Sequence, residues 1–476
     1  MTRGYTMFTV ALALVMECLL CHIFLQPTYD TPTEAVQLLM LAINTVLLWD
    51  GISRVFNNRS IVAVRGVQGL KDPCPERETV KTVLIVSFML RLLILMWDVY
   101  ARDIFILPNS EGDAQSYFEI SSSFAWGARR NLVDFGRFPF YTGQLFKVIG
   151  VQRLTVQFIN MYLAMCSLVM VYRILCKLGI SPEVREKTML IAAFLPNLMM
   201  ITTFFLQESV ISFCIITALY MFTCWWEKGG ILYLALTVTF SLLGSLLHMG
   251  ALVVAMGTLG MLMLIGNKER QLKVSMSRIV LMVVVGFGFL LVLASSGDTF
   301  TGKIRGDEGL TAEGILYEVN VRQGGGAGYT VGIQGLPPAV DIVVNTPIRM
   351  VYFIFSPLPW MWRGMGDILA FFGSTIFYFY TVYVAYQAYR AHPVKGIPDS
   401  NLGGFLVVLT VIMALAAVMF GWGVSNAGSA LRHREKFTYI CLVIAAVSNE
   451  ILVRTGKADE KRKRKEKHRI GHRAHF

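Results

Sequence analysis

The sequence predicts an all-α polytopic membrane protein: a bundle of about twelve transmembrane helices, with one further interfacial or re-entrant segment on the outer side. Three observations carry this. The chain has 476 residues, of which 55% are hydrophobic and only 16% charged, against about 25% charged in ordinary soluble domains; its mean hydropathy is +0.57. Apolar runs recur at close to the roughly 20 residues that a helix needs to cross a bilayer core of about 30 Å. The lysines and arginines, which give a net charge of +12, gather in a few of the connecting segments and not in others.

The apolar runs fall at 7–25, 36–55, 82–101, 154–176, 188–206, 208–226, 231–247, 249–266, 279–295, 341–362, 366–389, 402–424 and 437–453. The first follows Arg3 and has no small-residue cleavage site, so it reads as a span and not as a signal peptide. Segments 56–81, 177–187, 267–278, 390–400 and the tail are rich in Lys and Arg and mark the cytoplasmic side. The loops at 26–35, 102–153 and 296–346 then face outward. Two runs lie between the third outer loop and the basic segment 390–400, where an odd number of crossings is required, so one of them does not cross. The first, 341–362, carries Asp341, Asn345, Pro347 and Arg349 and ends in prolines and tryptophans (Pro357, Pro359, Trp360, Trp362) suited to the headgroup level. The expectation is a single transmembrane unit over 1–453, both termini cytoplasmic, in a multi-pass protein of the cell membrane.

The tail, 454–476, holds Lys457, Lys461, Arg462, Lys463, Arg464, Lys465, Lys467, Arg469 and Arg473. It reads as a cytoplasmic anchor that touches anionic lipid; without aromatic interleaving or a binding fold it does not point to a nucleic-acid partner. Most of the eight cysteines lie in apolar runs, Cys18 and Cys21 among them, with neither a disulfide framework nor zinc spacing. Gln323 to Gly328 is glycine-rich but lacks phosphate-loop spacing and reads as a flexible loop, a candidate substrate lid.

Chemistry must happen at the membrane edge or in a protein-lined cavity, because charge facing lipid is costly. Arg91, a candidate substrate-binding residue, and Asp98 sit seven residues apart on the third span, on roughly one helix face that can point into the bundle. The chain then emerges through Asp103 to Glu111-Gly112-Asp113, followed by Tyr117, Glu119, Arg129, Arg130 and Arg137. Carboxylates followed by arginines suit a reaction in which a hydroxyl loses its proton and a phosphate leaves; the alternative is ordinary solvated loop charge.

The stretch Gly112-Asp113-Ala114 with Tyr117, after an arginine-bearing span, resembles the first outer loop of GT-C superfamily glycosyltransferases, as do residues 141–150, Asn160, and Pro196 followed by Gln207-Glu208-Ser209. The resemblance covers about 100–250 and implies a membrane enzyme that passes a sugar from a polyprenyl-phosphate carrier to an acceptor. It assigns the role of catalytic base or acceptor-orienting carboxylate to Asp113, with Glu111 beside it and Tyr117 near the substrate. Glu208 is the third carboxylate of interest: a partner of Asp113, a group that orients the site's arginines, or simply an acid at a helix start. His248, within Ser245 to Ala251, resembles a stretch of membrane polysaccharide polymerases, while a lone histidine is also commonly just hydrogen-bonded at a helix end. The last outer turn, 425–436, contains Arg432 and Arg434 on a side normally kept free of positive charge. Lipid pyrophosphate is one reason for such charge, with Gly428 and Ser429 letting the backbone approach it; snorkelling to headgroups is another. The Asn…Gly…Arg-x-Arg pattern here also resembles that of both groups of enzymes. Arg322 and Arg349 are weaker members of the same set.

No metal site follows from the spacing; Asp113, Glu111 and Glu208 could offer oxygen ligands to a divalent cation, but nothing requires it. The expected function is therefore transfer of a sugar from a polyprenyl-phosphate-linked donor to an acceptor in cell-surface glycan assembly. A surface-polysaccharide polymerase acting on lipid-pyrophosphate-linked repeat units shares the chemistry. A transporter or flippase of lipid-linked sugar is the alternative from another class, marked by discontinuous helices in matching halves and mid-bilayer charges.

Overall fold

The computed structural model describes residues 75–127, 136–264, 328–391 and 400–473. The expected spans at 7–25, 36–55 and 279–295, together with Arg129, Arg130, Arg322 and residues 323–327, lie outside them. The described chain is helical apart from its connections and one isolated antiparallel bridge, Gly328 to Asn426. In order come α1 (Arg77–Tyr100), α2 (Asp113–Ala125), α3 (Arg137–Ile149), α4 (Arg153–Lys177), α5 (Pro182–Phe194), α6 (Pro196–Ile201), α7 (Glu208–Lys228), α8 (Ile231–Leu247) and α9 (Leu252–Leu264). After these come α10 (Pro338–Phe355), α11 (Met365–Ala391), α12 (Ser400–Gly423), α13 (Ala427–Glu435) and α14 (Thr438–Arg473). Among the described residues, seven helices are long and apolar enough to cross a membrane: α1, α4, α7, α10, α11, α12 and the first part of α14.

The burial pattern of α1 is that of a helix whose solvent on one side is lipid. Its buried residues are Val80, Leu84, Ser87, Phe88, Arg91, Leu95 and Asp98, spaced three and four apart along one stripe. Val86, Met89, Leu90, Leu93 and Trp97 are exposed. Arg91 and Asp98 point into the protein, as the sequence led us to expect, on the same stripe as Val80, Leu84, Phe88 and Leu95, while the opposite face is apolar and exposed.

The chain runs back and forth between two ends. At one end Asp98, near the close of α1, meets Arg153 at the start of α4, at 3.1 Å. At the other, Lys177 at the close of α4 meets Glu227 at the close of α7, at 2.7 Å. There, too, Glu450 of α14 accepts from the Ser181 amide and hydroxyl at 2.9 and 2.6 Å, and Arg454 donates to the Gly179 carbonyl at 2.7 Å. The basic helix that continues α14 therefore leaves from the end opposite Asp98.

The apolar run 188–206 departs from the expectation of one continuous helix. Pro196 lacks an N–H, Leu195 is extended (ψ 112°), and the traverse is made in two pieces, α5 and α6, followed by a non-helical link over 202–207. The break is compensated from α1: Ser87 donates to the Ala193 carbonyl at 2.7 Å and Arg91 at 3.1 Å. A second adaptation lies in α11, where a π-turn over Phe371–Thr375 interrupts the regular helix. Asn197 of α6 donates to the Ala370 carbonyl and Ser374 hydroxyl at that turn, at 3.1 and 3.0 Å.

The run 341–362 is also resolved into parts: the helix α10 ends at Phe355, and a separate 3₁₀ turn, Pro359–Met361, carries Trp360. By length and composition α10 meets the crossing criterion. It packs against the close of α12: Thr346 accepts from Trp422 at 2.6 Å, the Arg349 backbone faces Gly421, and the Phe353 and Phe420 rings stack at 5.3 Å.

Candidate functional site

Five non-contiguous parts of the chain meet at the end of the bundle opposite the basic helix: the start of α2, the start of α7, the link between α8 and α9, the close of α12, and α13 with the start of α14. Each is placed for a local reason. Gly112 adopts φ +60°, a left-handed conformation, and turns the chain so that Asp113 is the first residue of α2. A carboxylate there is favoured by the unpaired amides of the helix start. The loop before it is tied down by Asp98, which accepts from Ser110, from Arg102 at 2.8 Å and from Gln157 at 2.5 Å. Glu208 opens α7 in the same way. The link preceding it is pinned by Asn160, which donates to the Phe204 and Leu206 carbonyls at 2.7 and 2.8 Å, and by Ser209, which donates to Thr202 at 2.9 Å.

Residues 425–436, expected as a turn, form the helix α13. Asn426 caps it, its side chain accepting from the Gly428 and Ser429 amides at 2.9 and 3.3 Å. Those two amides are therefore engaged inside the protein, which corrects the expectation that they approach phosphate. The helix also separates the two arginines, since residues two apart on a helix do not share a face.

Arg432 bonds Asp113, and its Nε lies 3.3 Å from Glu208. The two carboxylates chosen from sequence are thus joined through one guanidinium that is 319 residues from Asp113 along the chain. Lys436 adds a second cation to Glu208 at 3.4 Å, and its ammonium contacts Nδ1 of His433 at 2.5 Å. The His433 ring lies 4.9 Å from that of His248, which stacks on Phe420 at 5.1 Å. The Gly250 amide donates to Nδ1 of His248 at 3.2 Å. Gly250 sits against the edge of Phe420 so closely that any side chain would collide with the ring. Tyr117 receives a bond from Gln207 at 3.5 Å and packs on Phe138; burial, then the nearby Glu208 charge, pushes its phenol well above the usual range.

Access falls steeply across this cluster. The Asp113 side chain is 57% exposed, that of Arg432 16%, and those of Glu208 and Lys436 1% each. Asp113 and the edge of Arg432 are open to the surroundings, while Glu208 and Lys436 lie beneath them. Burial lowers the Arg432 pKa to about 10, which leaves the guanidinium charged at neutral pH. The arrangement presents an accessible carboxylate, able to take a proton, next to a charged fork, able to bind phosphate oxygens in pairs.

Other residues chosen from sequence are elsewhere. Arg434 is fully buried behind the cluster, where it donates to the Ile354 carbonyl at 2.9 Å, to the Ser356 carbonyl, and to the Ser374 and Thr375 hydroxyls at 3.2 and 2.8 Å. Its guanidinium also lies 4.9 Å from the Tyr378 ring centre. It clamps the close of α10 to the π-turn of α11, away from Asp113 and Glu208. Arg91 is likewise committed, to Ser87 and Ala193, and Arg349 pairs with Asp341 at 2.6 Å along α10. Glu111 is exposed and outside the ion-pair cluster. Arg322 lies outside the described residues. Sequence reasoning missed Lys436 and His433 as site residues; the signal available was the helical spacing of Arg432 and Lys436, four apart. Among the described residues no three or more His, Cys, Asp or Glu side chains are gathered in a way that could hold a metal ion.

No family model, curated protein or solved structure matches this chain. The functional reading therefore rests on the geometry of the cluster and on its place in the bundle.

Proposed function

We propose that the protein is a membrane glycosyltransferase that passes a sugar from a polyprenyl-phosphate-linked donor to an acceptor in cell-surface glycan assembly. The observation that carries the reading is the junction of Asp113, Glu208 and Arg432 in one graded cluster. In the reaction Asp113 takes the proton of an acceptor hydroxyl, whose oxygen forms a bond to the anomeric carbon. The bond from that carbon to the phosphate oxygen breaks, and the electron pair leaves with the lipid phosphate, whose charge Arg432 receives. Arg432 exchanges Asp113 for phosphate as the donor enters, and Glu208 keeps the guanidinium in place from below. A polymerase joining lipid-pyrophosphate-linked repeat units would use the same steps with a larger donor.

The site lies at the end opposite the basic helix, which by the positive-inside rule is the outer face, with the carboxyl terminus in the cytoplasm. In that frame we read α10, which carries Asp341, Asn345 and Arg349, as the interfacial or re-entrant segment of a protein of about twelve crossings, although it is long and apolar enough to cross.

A second reading, movement of a lipid-linked sugar across the membrane, has one observation in its favour. The cluster is walled by interrupted helices, at Pro196 and at Met249–Ala251, as transport sites often are. One experiment separates the two. In cells lacking the protein, a transferase leaves its lipid-linked donor accumulating on the outer leaflet, whereas a transporter leaves it on the cytoplasmic leaflet. Unchanged surface glycan and no accumulated donor in such cells would refute both readings.

A further inference from the structure

We propose that Lys436 is a positioning residue that keeps Arg432 available to an anionic headgroup by sharing the charge of Glu208; this rests on the reading of Arg432 as the phosphate-binding group. The observations are geometric. Arg432 Nε and Lys436 Nζ approach the same oxygen, Oε1 of Glu208, at 3.3 and 3.4 Å. Lys436 is 1% exposed, as is Glu208, so it cannot meet substrate itself. Its ammonium is held 2.5 Å from Nδ1 of His433 and 5.7 Å from the Phe420 ring centre.

The reasoning follows the charge count. Asp113 and Glu208 carry two negative charges, and Arg432 and Lys436 two positive ones. When a phosphate arrives, Arg432 can turn toward it only if Glu208 retains a counter-charge, because an unpaired carboxylate buried in the protein is strongly disfavoured. Lys436 supplies that counter-charge. Without it Glu208 holds Arg432 more tightly, and the anion must compete for the guanidinium. A lysine with a merely structural role would instead change the yield and stability of the protein and leave anion affinity unaltered.

The test measures binding of farnesyl phosphate, a phosphate monoester on a short isoprenoid, to the purified full-length protein in nanodiscs, with farnesol and inorganic phosphate as the two control probes. The expectation for the wild type is tightest binding of farnesyl phosphate, with inorganic phosphate weaker and farnesol insensitive to every substitution. Lys436→Met should weaken farnesyl phosphate by about 10- to 100-fold, the range of a lost charge contact. Adding Glu208→Gln removes the competing charge, while its amide oxygen can still accept from Arg432 Nε and keep the guanidinium in place, so the affinity should return to within about 3-fold of wild type. That double variant retains no buried unpaired charge from the pair, so it tests the idea even where Lys436→Met does not fold. Wild-type affinity in Lys436→Met, or a double variant still weakened tenfold or more, would overturn the role of Lys436 alone. Failure of the wild type to bind farnesyl phosphate more tightly than farnesol would overturn the phosphate-binding role of Arg432 and this proposal with it.

Discussion

Arg432 and Arg434 read alike in the sequence, and their substitution should produce opposite failures. Arg434 donates to two backbone carbonyls, Ile354 and Ser356, and to two hydroxyls, Ser374 and Thr375. In Arg434→Ala the hydroxyls can turn to other acceptors, but the two carbonyls at the close of α10 stay buried without a donor, at about 1–3 kcal/mol each. The loss of the ring contact with Tyr378 adds about 1 kcal/mol. The release of a buried cation offsets part of this, so a net loss of about 3–5 kcal/mol is expected. Arg434→Lys should recover about half, since an ammonium can serve some of the acceptors but not all in the fork geometry. Arg432→Ala is different: Asp113 returns to water and Glu208 keeps Lys436, for a cost of about 1 kcal/mol, while transfer is lost. The assay is unfolding of the detergent-solubilised variants with increasing denaturing detergent, followed by tryptophan fluorescence, alongside turnover of a lipid-linked donor. An Arg434→Ala protein as resistant as wild type, or an Arg432→Ala protein that unfolds as early as Arg434→Ala, would refute this division of roles.

Asp113→Asn should reduce transfer by about 10²–10⁴, the usual effect of removing a general base, without changing the amount of folded protein in the membrane; full activity would remove Asp113 from the mechanism. Asp98→Asn leaves Arg102 and Arg153 without their buried counter-charge, and we expect it to destabilise the protein by about 3–5 kcal/mol and to loosen the loop that delivers Asp113, read as faster proteolysis within 101–112. Gly250→Ala should displace Phe420 from under His248 and His433 and lower activity at least tenfold, with near-normal turnover in the alanine variant telling against the aromatic floor. Single cysteines placed at 111 and 428 should react with an impermeant reagent from outside intact cells and one at 456 should not; the reverse pattern would invert the topology and move the site to the cytoplasm.

Much of the candidate site was legible before any coordinates. Asp113 stands out because a carboxylate follows a span directly, and Glu208 because an acid between two apolar runs must face protein or interface. What misled was the treatment of 425–436 as a turn. A turn lets Arg432 and Arg434 point the same way, whereas a helix capped by Asn426 sends one to Asp113 and Glu208 and the other to the close of α10. The cap was visible in the residues Asn426-Ala427-Gly428-Ser429, but the charged segment lacked the apolar periodicity by which helices are usually recognised. Arg91 and Arg349 were overvalued for a related reason: sequence shows a charge in an apolar run but not the carbonyl or carboxylate that absorbs it, and those partners, Ala193 and Asp341, are settled by packing.

By itself the sequence determined what the solvent of this protein is. Runs of about 20 apolar residues permit only helices, because every backbone polar group inside a bilayer must be satisfied within its own segment; the all-helical class, the long apolar helices α1, α4, α7, α11, α12 and α14, and the inward face of Asp98 follow from that one constraint, while α10, which the sequence reads as non-crossing, is also long and apolar enough to cross. Tertiary structure decided what no local rule reaches. It brought Arg432 to Asp113 across 319 residues, ranked four charges by depth so that one meets solvent and two do not, and supplied Arg91 to the carbonyl freed by the break at Pro196. The physical reason is that helix formation is a matter of neighbours in sequence, whereas the pairing of a buried charge is a matter of neighbours in space, and burial makes that pairing obligatory without saying which partner will supply it.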